Sequence, residues 1–347
     1  MIEESRTNLL LWSEDFTQSE WRKNQGATVV SDTSAGSPLA SGSAFLLTSP
    51  NGHADHIELL SAISDTGQTF TSYSFVKEGS SGIFSHRNIA LGGTIQDENH
   101  FFNFSTQSFT DNPSGTAKAV QLNDGWWRIS ASITLNNTGH TQLLVRSAAA
   151  SGTATGNVYI SATQLEQAST PSTYIPTTTA QVTRAADQCS RVLGDEYNND
   201  NFSVYADLVW DGLDSATDRY ILSISDTTVP STTRISMRIS QRETVQIVVA
   251  NSGALERILP LVEFPLSSGK NKVAASLADS GAIILSVNGQ SGTLSAPSGL
   301  QSTASLMTVG AVPNGAAALN QGIGNVSLYP RALSSEDLNT LTALETT

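Results

Sequence analysis

The chain has 347 residues, 14% of them charged and 39% hydrophobic, with 31 acidic against 18 basic side chains and a net charge of −13. That length exceeds what one hydrophobic core usually serves, so two domains are expected; the acidic balance, with no basic block, excludes a cationic surface for nucleic acid and disfavours docking on anionic membrane. Ser and Thr together number 85, a composition of short strands and polar turns rather than helices, and apolar alternations recurring from end to end speak against disorder.

The first residues, Met1-Ile2-Glu3-Glu4-Ser5-Arg6, carry neither the cationic n-region nor the apolar h-region of a signal peptide. No apolar run approaches the roughly 18–20 residues that span a bilayer. Cys189 is the only cysteine, so an intrachain disulfide and a Cys-based zinc site are both ruled out. The expectation is folding in a reducing cytoplasm, without cofactor or metal.

Period-2 alternation predicts strands over 70–77, 127–135, 141–146 and 158–165. In the second of these Trp127, Ile129, Ala131, Ile133 and Leu135 share the core face, and Trp126, Arg128, Ser130, Ser132 and Thr134 share the polar one. Turn chemistry separates the strands at Glu78-Gly79-Ser80-Ser81-Gly82, Asn123-Asp124-Gly125 and Asn136-Asn137-Thr138-Gly139. Between 168 and 187 two proline-containing Ser/Thr stretches break the pattern and read as a semi-rigid linker, dividing the chain into domains at 1–167 and 188–347. The second domain alternates again: Phe202 to Trp210, Ile235 to Ile239, Val245 to Val249, Val273 to Leu277, and Ile283 to Val287 leading into the Asn288-Gly289 hairpin signal. Val326 and Leu328 supply a closing strand. A helix follows, with Ser334 as cap, Asp337 completing a capping box, Leu333 stapling to Leu338, and Leu338, Leu341 and Leu344 on one face. The fold class is all-β: two tandem antiparallel β-sandwich (jelly-roll) domains with a short C-terminal helix.

A set of landmarks runs through the first domain: Asn8 to Phe16, Trp21, Tyr73-Ser74-Phe75-Val76-Lys77, Gly125-Trp126-Trp127-Arg128-Ile129, Gln164-Leu165-Glu166, Tyr174-Ile175-Pro176-Thr177 and Thr183 to Asp187. In that order and spacing the domain resembles the carbohydrate-binding-module-like jelly roll of bacteriophage and prophage virion proteins. Phe202-Ser203-Val204-Tyr205, Leu285-Ser286-Val287-Asn288-Gly289 and Ser327 to Ser334 resemble the laminin-G/concanavalin-like lectin sandwich. The resemblance implies a phage structural protein exposed on the virion, in tail fibres, tail tips or capsid decorations. No heptad, collagen-like triplet or fixed-period repeat follows the start of the chain, which favours a compact decoration, head-fibre tip or short receptor-binding protein over a long fibre.

Candidate chemistry is sparse. His53-Ala54-Asp55-His56 with Glu58 is the one cluster of metal-like content, but on a strand the two histidines face opposite sides. Asp97-Glu98 and Asp195-Glu196 sit in polar, turn-like sequence and read as solvated loop charge rather than a glycosidase pair. Asp211, Asp214 and Asp218 match no specific calcium motif. Cys189 has no activating neighbour. Trp126, on the polar face beside Arg128, is the best ligand contact, because a sugar stacks on an exposed ring flanked by hydrogen-bonding groups; the alternative is that Trp126 packs under a loop or partner while Arg128 pairs with a carboxylate. No residue is expected to be catalytic. The function expected is attachment, as a multi-copy or homo-oligomeric virion component contacting other virion proteins and host surface glycans, without nucleic acid or membrane insertion. Two alternatives are a virion-associated glycan hydrolase or depolymerase and a prophage-encoded lectin or adhesin.

Overall fold

The computed structural model describes residues 2–345 apart from 40–42, 53, 65–66, 150–151, 154, 211, 213–217, 227–233, 251–256, 296–303 and 313–317. The chain divides into two units, one of Arg6–Arg184 and one of Ala185–Thr347 with Met1–Ser5. Both are built almost wholly of antiparallel strands.

In the first unit the described residues form two six-stranded sheets. One runs Lys118–Gln121, Trp126–Thr134, Thr69–Glu78, Gly156–Glu166, Phe45–Ser49 and Thr28–Ser31. The other runs Arg22–Lys23, Ile57–Ala62, Gln142–Ala148, Ile83–Leu91, Gln96–Asn103 and Ser108–Asp111. Leu47, Val76, Ile129 and Val158 from the first sheet meet Ile57, Phe84, Phe102 and Val145 from the second in one buried cluster. The alternation read from the sequence is what makes this sandwich: Trp127, Ile129, Ile133 and Leu135 all face that core.

The opposite face of the same strand is not the solvent-facing surface the alternation suggests. Trp126 is 1% exposed and Ser130 is 4% exposed, because other segments overlie this sheet. Ala35, Leu39 and Tyr174 pack with Trp126, Tyr73 and Phe75, Ser132 Oγ donates to the Ser169 carbonyl (3.0 Å) and Tyr73 Oη donates to the Ser172 carbonyl (3.1 Å). Alternation assigns a face; it does not report what lies over that face.

The 168–187 segment, read as a linker from its prolines, hydrogen-bonds into the first unit as far as Arg184. Asn8 Nδ2 donates to the Ile175 carbonyl (2.8 Å), the Ile175 amide to Gln164 Oε1 (2.7 Å), and Thr177 Oγ1 to the Leu10 carbonyl (2.6 Å). Val182–Arg184 then pairs antiparallel with Arg6–Asn8. Several of the sequence landmarks, Asn8, Gln164, Glu166, Tyr174 and Thr177, are thus the residues that fasten the two ends of the unit to its sheet. They specify a fold rather than a ligand.

In the second unit a six-stranded sheet (Cys189–Val192, Leu306–Val309, Arg219–Ser225, Arg234–Ile239, Thr244–Ala250, Arg257–Pro265) faces a five-stranded one (Gln290–Ser295, Ala282–Val287, Gly269–Leu277, Phe202–Trp210, Gly322–Tyr329). Their inner residues, among them Phe202, Trp210, Ile221, Met237, Ile247, Val273 and Leu285, form one core. Asn288 and Gly289 turn the hairpin with φ of 50° and 82°, both in the left-handed region that a two-residue turn of matching twist requires. The helix Ser335–Thr342 carries the expected capping box between Ser334 and Asp337, and Leu333 and Leu338 bury together against Tyr205 and Ala274. Leu344 lies beyond the helix and is 41% exposed.

Met1–Ser5 belongs to this second unit. The Glu3 amide donates to Asp187 Oδ2 (3.0 Å) and the Asp187 amide to the Glu3 carbonyl (2.9 Å). The Glu4 carboxylate pairs with the guanidinium of Arg219, a residue only 3% exposed that also donates to the Ala318 carbonyl (3.0 Å).

Candidate functional site

Trp126 and Arg128 come together, though not as an open sugar platform. The guanidinium carbon of Arg128 lies 5.7 Å from the centroid of the Tyr73 ring, a cation–π arrangement. The Trp126 indole packs with Tyr73, Phe75 and Ala162 beneath Ala35 and Leu39. Arg128 is half-buried, and among the described residues its Nε finds no acceptor. A ligand cannot stack on a ring that is 1% exposed, so the expected role of Trp126 is corrected: its indole is a packing element of this face.

The His53–Glu58 region resolves into an ion-pair hub. His53 lies outside the described residues. His56 is buried, with Nδ1 2.6 Å from the Ala54 carbonyl and Nε2 3.2 Å from Glu58 Oε2. Glu58, 3% exposed, accepts from Arg146 Nε (3.1 Å) and Nη2 (2.7 Å), and its other oxygen lies 3.2 Å from Arg22 Nη1. Burial pushes the Glu58 carboxyl up, but hydrogen bonds from His56, Asn24 and Arg146 outweigh it and hold the group down at about 2. Among the described residues no group of three or more His, Cys, Asp or Glu side chains is placed to hold a metal ion.

Four of the other carboxylates singled out from sequence, Asp97, Glu98, Glu196 and Asp218, are also engaged. Asp97-Glu98 is not loop: both residues lie in the strand Gln96–Asn103, whose inward positions are taken by His100 and Phe102. Asp97 receives Arg87 in a two-pronged pair, Nε to Oδ1 at 2.6 Å and Nη2 to Oδ2. Glu98 accepts from Ser114 Oγ (2.6 Å). Glu196 pairs with Arg191 (2.8 Å). Of the three second-domain aspartates, Asp211 and Asp214 fall outside the described residues, and Asp218 pairs with Arg238 (2.7 Å). Cys189 is an exposed thiol on the strand Cys189–Val192.

Burial raises the pKa of Glu166 above the usual carboxylate value, outweighing its hydrogen bonds from Ser172. The residue is fully buried and accepts from the Ser172 amide (2.7 Å) and Ser172 Oγ (2.7 Å), with Arg6 Nε at 3.6 Å. That network closes the seam between strand and 172–177 segment.

What sequence reading missed is a row of polar side chains on the outer face of the second sheet of the first unit. Arg22, Glu58, Arg146, Arg87 and Asn99 are successive register partners across five strands. Their neighbours in chain, Ile57, Leu59, Val145, Phe84, Ala90 and Phe102, fill the core, so the row points the other way. With strands about 4.8 Å apart the row is about 19 Å long.

No protein-family model matches the sequence, and no curated protein matches it. Solved structures similar to part of it include the CBM40 module of Ruminococcus gnavus IT-sialidase, at 17% identity over 42% of this chain and 84% of that chain, with a TM-score of 0.35. Leech intramolecular trans-sialidase, complexed with 2,7-anhydro-Neu5Ac, is similar at 20% identity over 43% of this chain and 24% of that one (TM-score 0.36). The SAP-like pentraxin of Limulus polyphemus is similar at 15% identity over 41% and 69% (TM-score 0.32). Each aligns with less than half of this chain. Among the described residues no helix is long and apolar enough to cross a membrane.

Proposed function

We propose that this chain is a bacteriophage virion surface protein, a capsid decoration or tail-fibre-like attachment component, that binds host surface glycans without turning them over. The ordered jelly-roll landmarks support the virion part of the reading. The binding part is carried by one observation: the outward-facing row from Arg22 to Asn99, in which charged groups are held by one another in fixed positions. A glycosidase needs a carboxylic acid whose pKa is raised and which reaches its substrate. Glu58 is lowered instead, to about 2, and Glu166 is raised but has no exposed surface. Fixed donors and acceptors on a sheet face suit recognition, and display in several copies multiplies weak contacts.

The test is mass spectrometry of purified particles of the phage that encodes the chain, followed by incubation of the chain with host polysaccharide. The expected result is the protein in the particle and no release of reducing ends. Absence from the particle removes the virion assignment, and release of reducing ends removes the binding-only assignment.

A further inference from the structure

The row just described, resting on the glycan-binding reading, has chemistry that narrows the ligand. Arg22, Arg87 and Arg146 supply three positive charges, and Glu58, Asp97 and Asp111 supply three negative ones, Asp111 being the register partner of Phe101 at the far end of the same face. In a chain of net charge −13 this face is locally balanced. Arg87 grips Asp97 through two nitrogens, and Arg146 and Arg22 both reach Glu58. An acidic ligand would have to compete with carboxylates already in place. A neutral polyol does not: its hydroxyls take the remaining N–H directions of the guanidinium groups and donate to the half-exposed carboxylate of Asp97, and neither ion pair has to be broken.

Two neighbours complete such a surface. Ser85 Oγ donates to Asn99 Oδ1 (2.8 Å), which fixes the amide; among the described residues no group takes up Asn99 Nδ2. Phe101, two residues along the same strand, faces outward with Asn99, since His100 and Phe102 are both fully buried, and it is half-buried beside Ser85 in the register. An aromatic ring next to a fixed amide and paired guanidinium groups offers a sugar both its apolar C–H face and its hydroxyls a partner. Because the ion pairs already hold these side chains in place, little rotamer freedom remains to be lost on binding.

We infer that the outer face carrying Arg22, Arg146, Arg87, Asn99 and Phe101 is the binding site for an uncharged polysaccharide laid along the row. Native gel electrophoresis of the full chain tests this, through gels containing soluble neutral polysaccharides (galactomannan, dextran, xyloglucan) or acidic ones (hyaluronan, dextran sulfate). Retardation is expected in at least one neutral gel and in neither acidic gel, and high salt should leave it unchanged because no net charge is neutralised. Phe101→Ala and Asn99→Asp should each weaken it about tenfold, the equivalent of one lost contact. Asn99→Asp keeps the acceptor for Ser85, removes the amide donors and adds one negative charge, so the retardation of each variant is taken relative to its own mobility in a gel without polysaccharide; unchanged near-ultraviolet circular dichroism verifies the fold of both variants. Lys270→Ala, on the second unit, should behave as the parent chain. Retardation by a neutral polysaccharide that both variants leave intact overturns this site and leaves the glycan reading standing. Retardation only in acidic gels, lost in salt, overturns the neutral class. No retardation in any gel overturns the site and the glycan reading together.

Discussion

Lowering the pH from 7 to 5 should destabilise the first unit and barely touch the second, because the histidines lie at 53, 56, 86, 100 and 140 and none belongs to the second unit. His86 dominates the effect. It is fully buried between the sheets, with Nε2 2.7 Å from Ser72 Oγ. The Ser72 hydroxyl has one proton and gives it to Asn88 Oδ1 (2.7 Å), so His86 Nε2 carries the hydrogen and Nδ1 is the basic nitrogen. Among the described residues Nδ1 has no hydrogen-bond partner. Its register partners across the sheet are Ser147 and His100; His100 is equally buried, with Glu98 Oε2 3.7 Å from its Nε2.

Burial, aided by the neighbouring His100, pushes His86 from 6.5 down to about 3. The folded state therefore keeps the neutral ring while the unfolded chain takes up a proton below 6.5. The contribution is fully present above pH 6.5 and is lost progressively as the pH falls towards 3. At pH 5 the loss is about 2 kcal/mol, from ~1.5 pH steps of ~1.36 kcal/mol each. His100, lowered first of all by its own burial, adds to it in the same sense. With a urea slope of about 2 kcal/mol per molar, the midpoint should move by about 1 M. Fluorescence of a Trp210→Phe variant reports on the first unit alone, since the four remaining tryptophans all lie there. His86→Gln should remove most of the shift. Equal midpoints at pH 7 and pH 5 in the parent chain, or an undiminished shift in His86→Gln, would refute the reasoning.

Four further outcomes follow from the same geometry. Glu58→Gln should flatten the acid limb below pH 4.5: a carboxyl held at about 2 in the fold stabilises above 4.5 and loses about 3 kcal/mol as the pH falls through 2, which acid titration of the urea midpoint measures. Trp126→Ala should cost the first unit about 3–5 kcal/mol, as expected of a buried indole, where an exposed sugar platform would cost almost nothing. Glu4→Gln should lower the urea midpoint read from Trp210 by the equivalent of about 2–3 kcal/mol, because the buried Arg219 guanidinium loses its carboxylate, with the first unit unmoved. Gly289→Ala should cost about 1 kcal/mol in the same assay from its φ of 82° alone, since the nearest atom to an added Cβ, Ala343 Cα, is 3.6 Å away.

The strands were legible because one-sided burial writes a period of two into the residues themselves: Phe202 to Trp210 and Trp127 to Leu135 fall on the core face as their alternation implies. The helix cap and the Asn288-Gly289 turn were legible for a related reason, since each is a local constraint met by neighbouring residues. Two things were not. Trp126 was assigned to the polar face correctly as to side and wrongly as to cover, because Leu39 and Tyr174, which pack with it, come from distant parts of the chain. The outer row was invisible for a stronger reason. Arg22, Glu58, Arg87, Asn99 and Arg146 span more than 120 positions and share a face only through the register of five strands, which no local pattern encodes. Asp97 looked like loop charge because its strand has polar residues at most outward positions.

The placement of Met1–Ser5 sets an order of events during synthesis. The first unit is continuous, Arg6–Arg184, and can close as soon as Val182–Arg184 leaves the ribosome to pair with Arg6–Asn8. Residues 2–5, made before it, cannot settle then. Ile2 bridges to Gln321, the Glu4 amide donates to Asn320 Oδ1 and the Glu4 carboxylate meets Arg219. At about 5–20 residues per second, some 15–60 s separate the synthesis of residues 2–5 from that of their last partners. Residues 2–5 are therefore among the last to find their place, although the unit that follows them in sequence can already have folded.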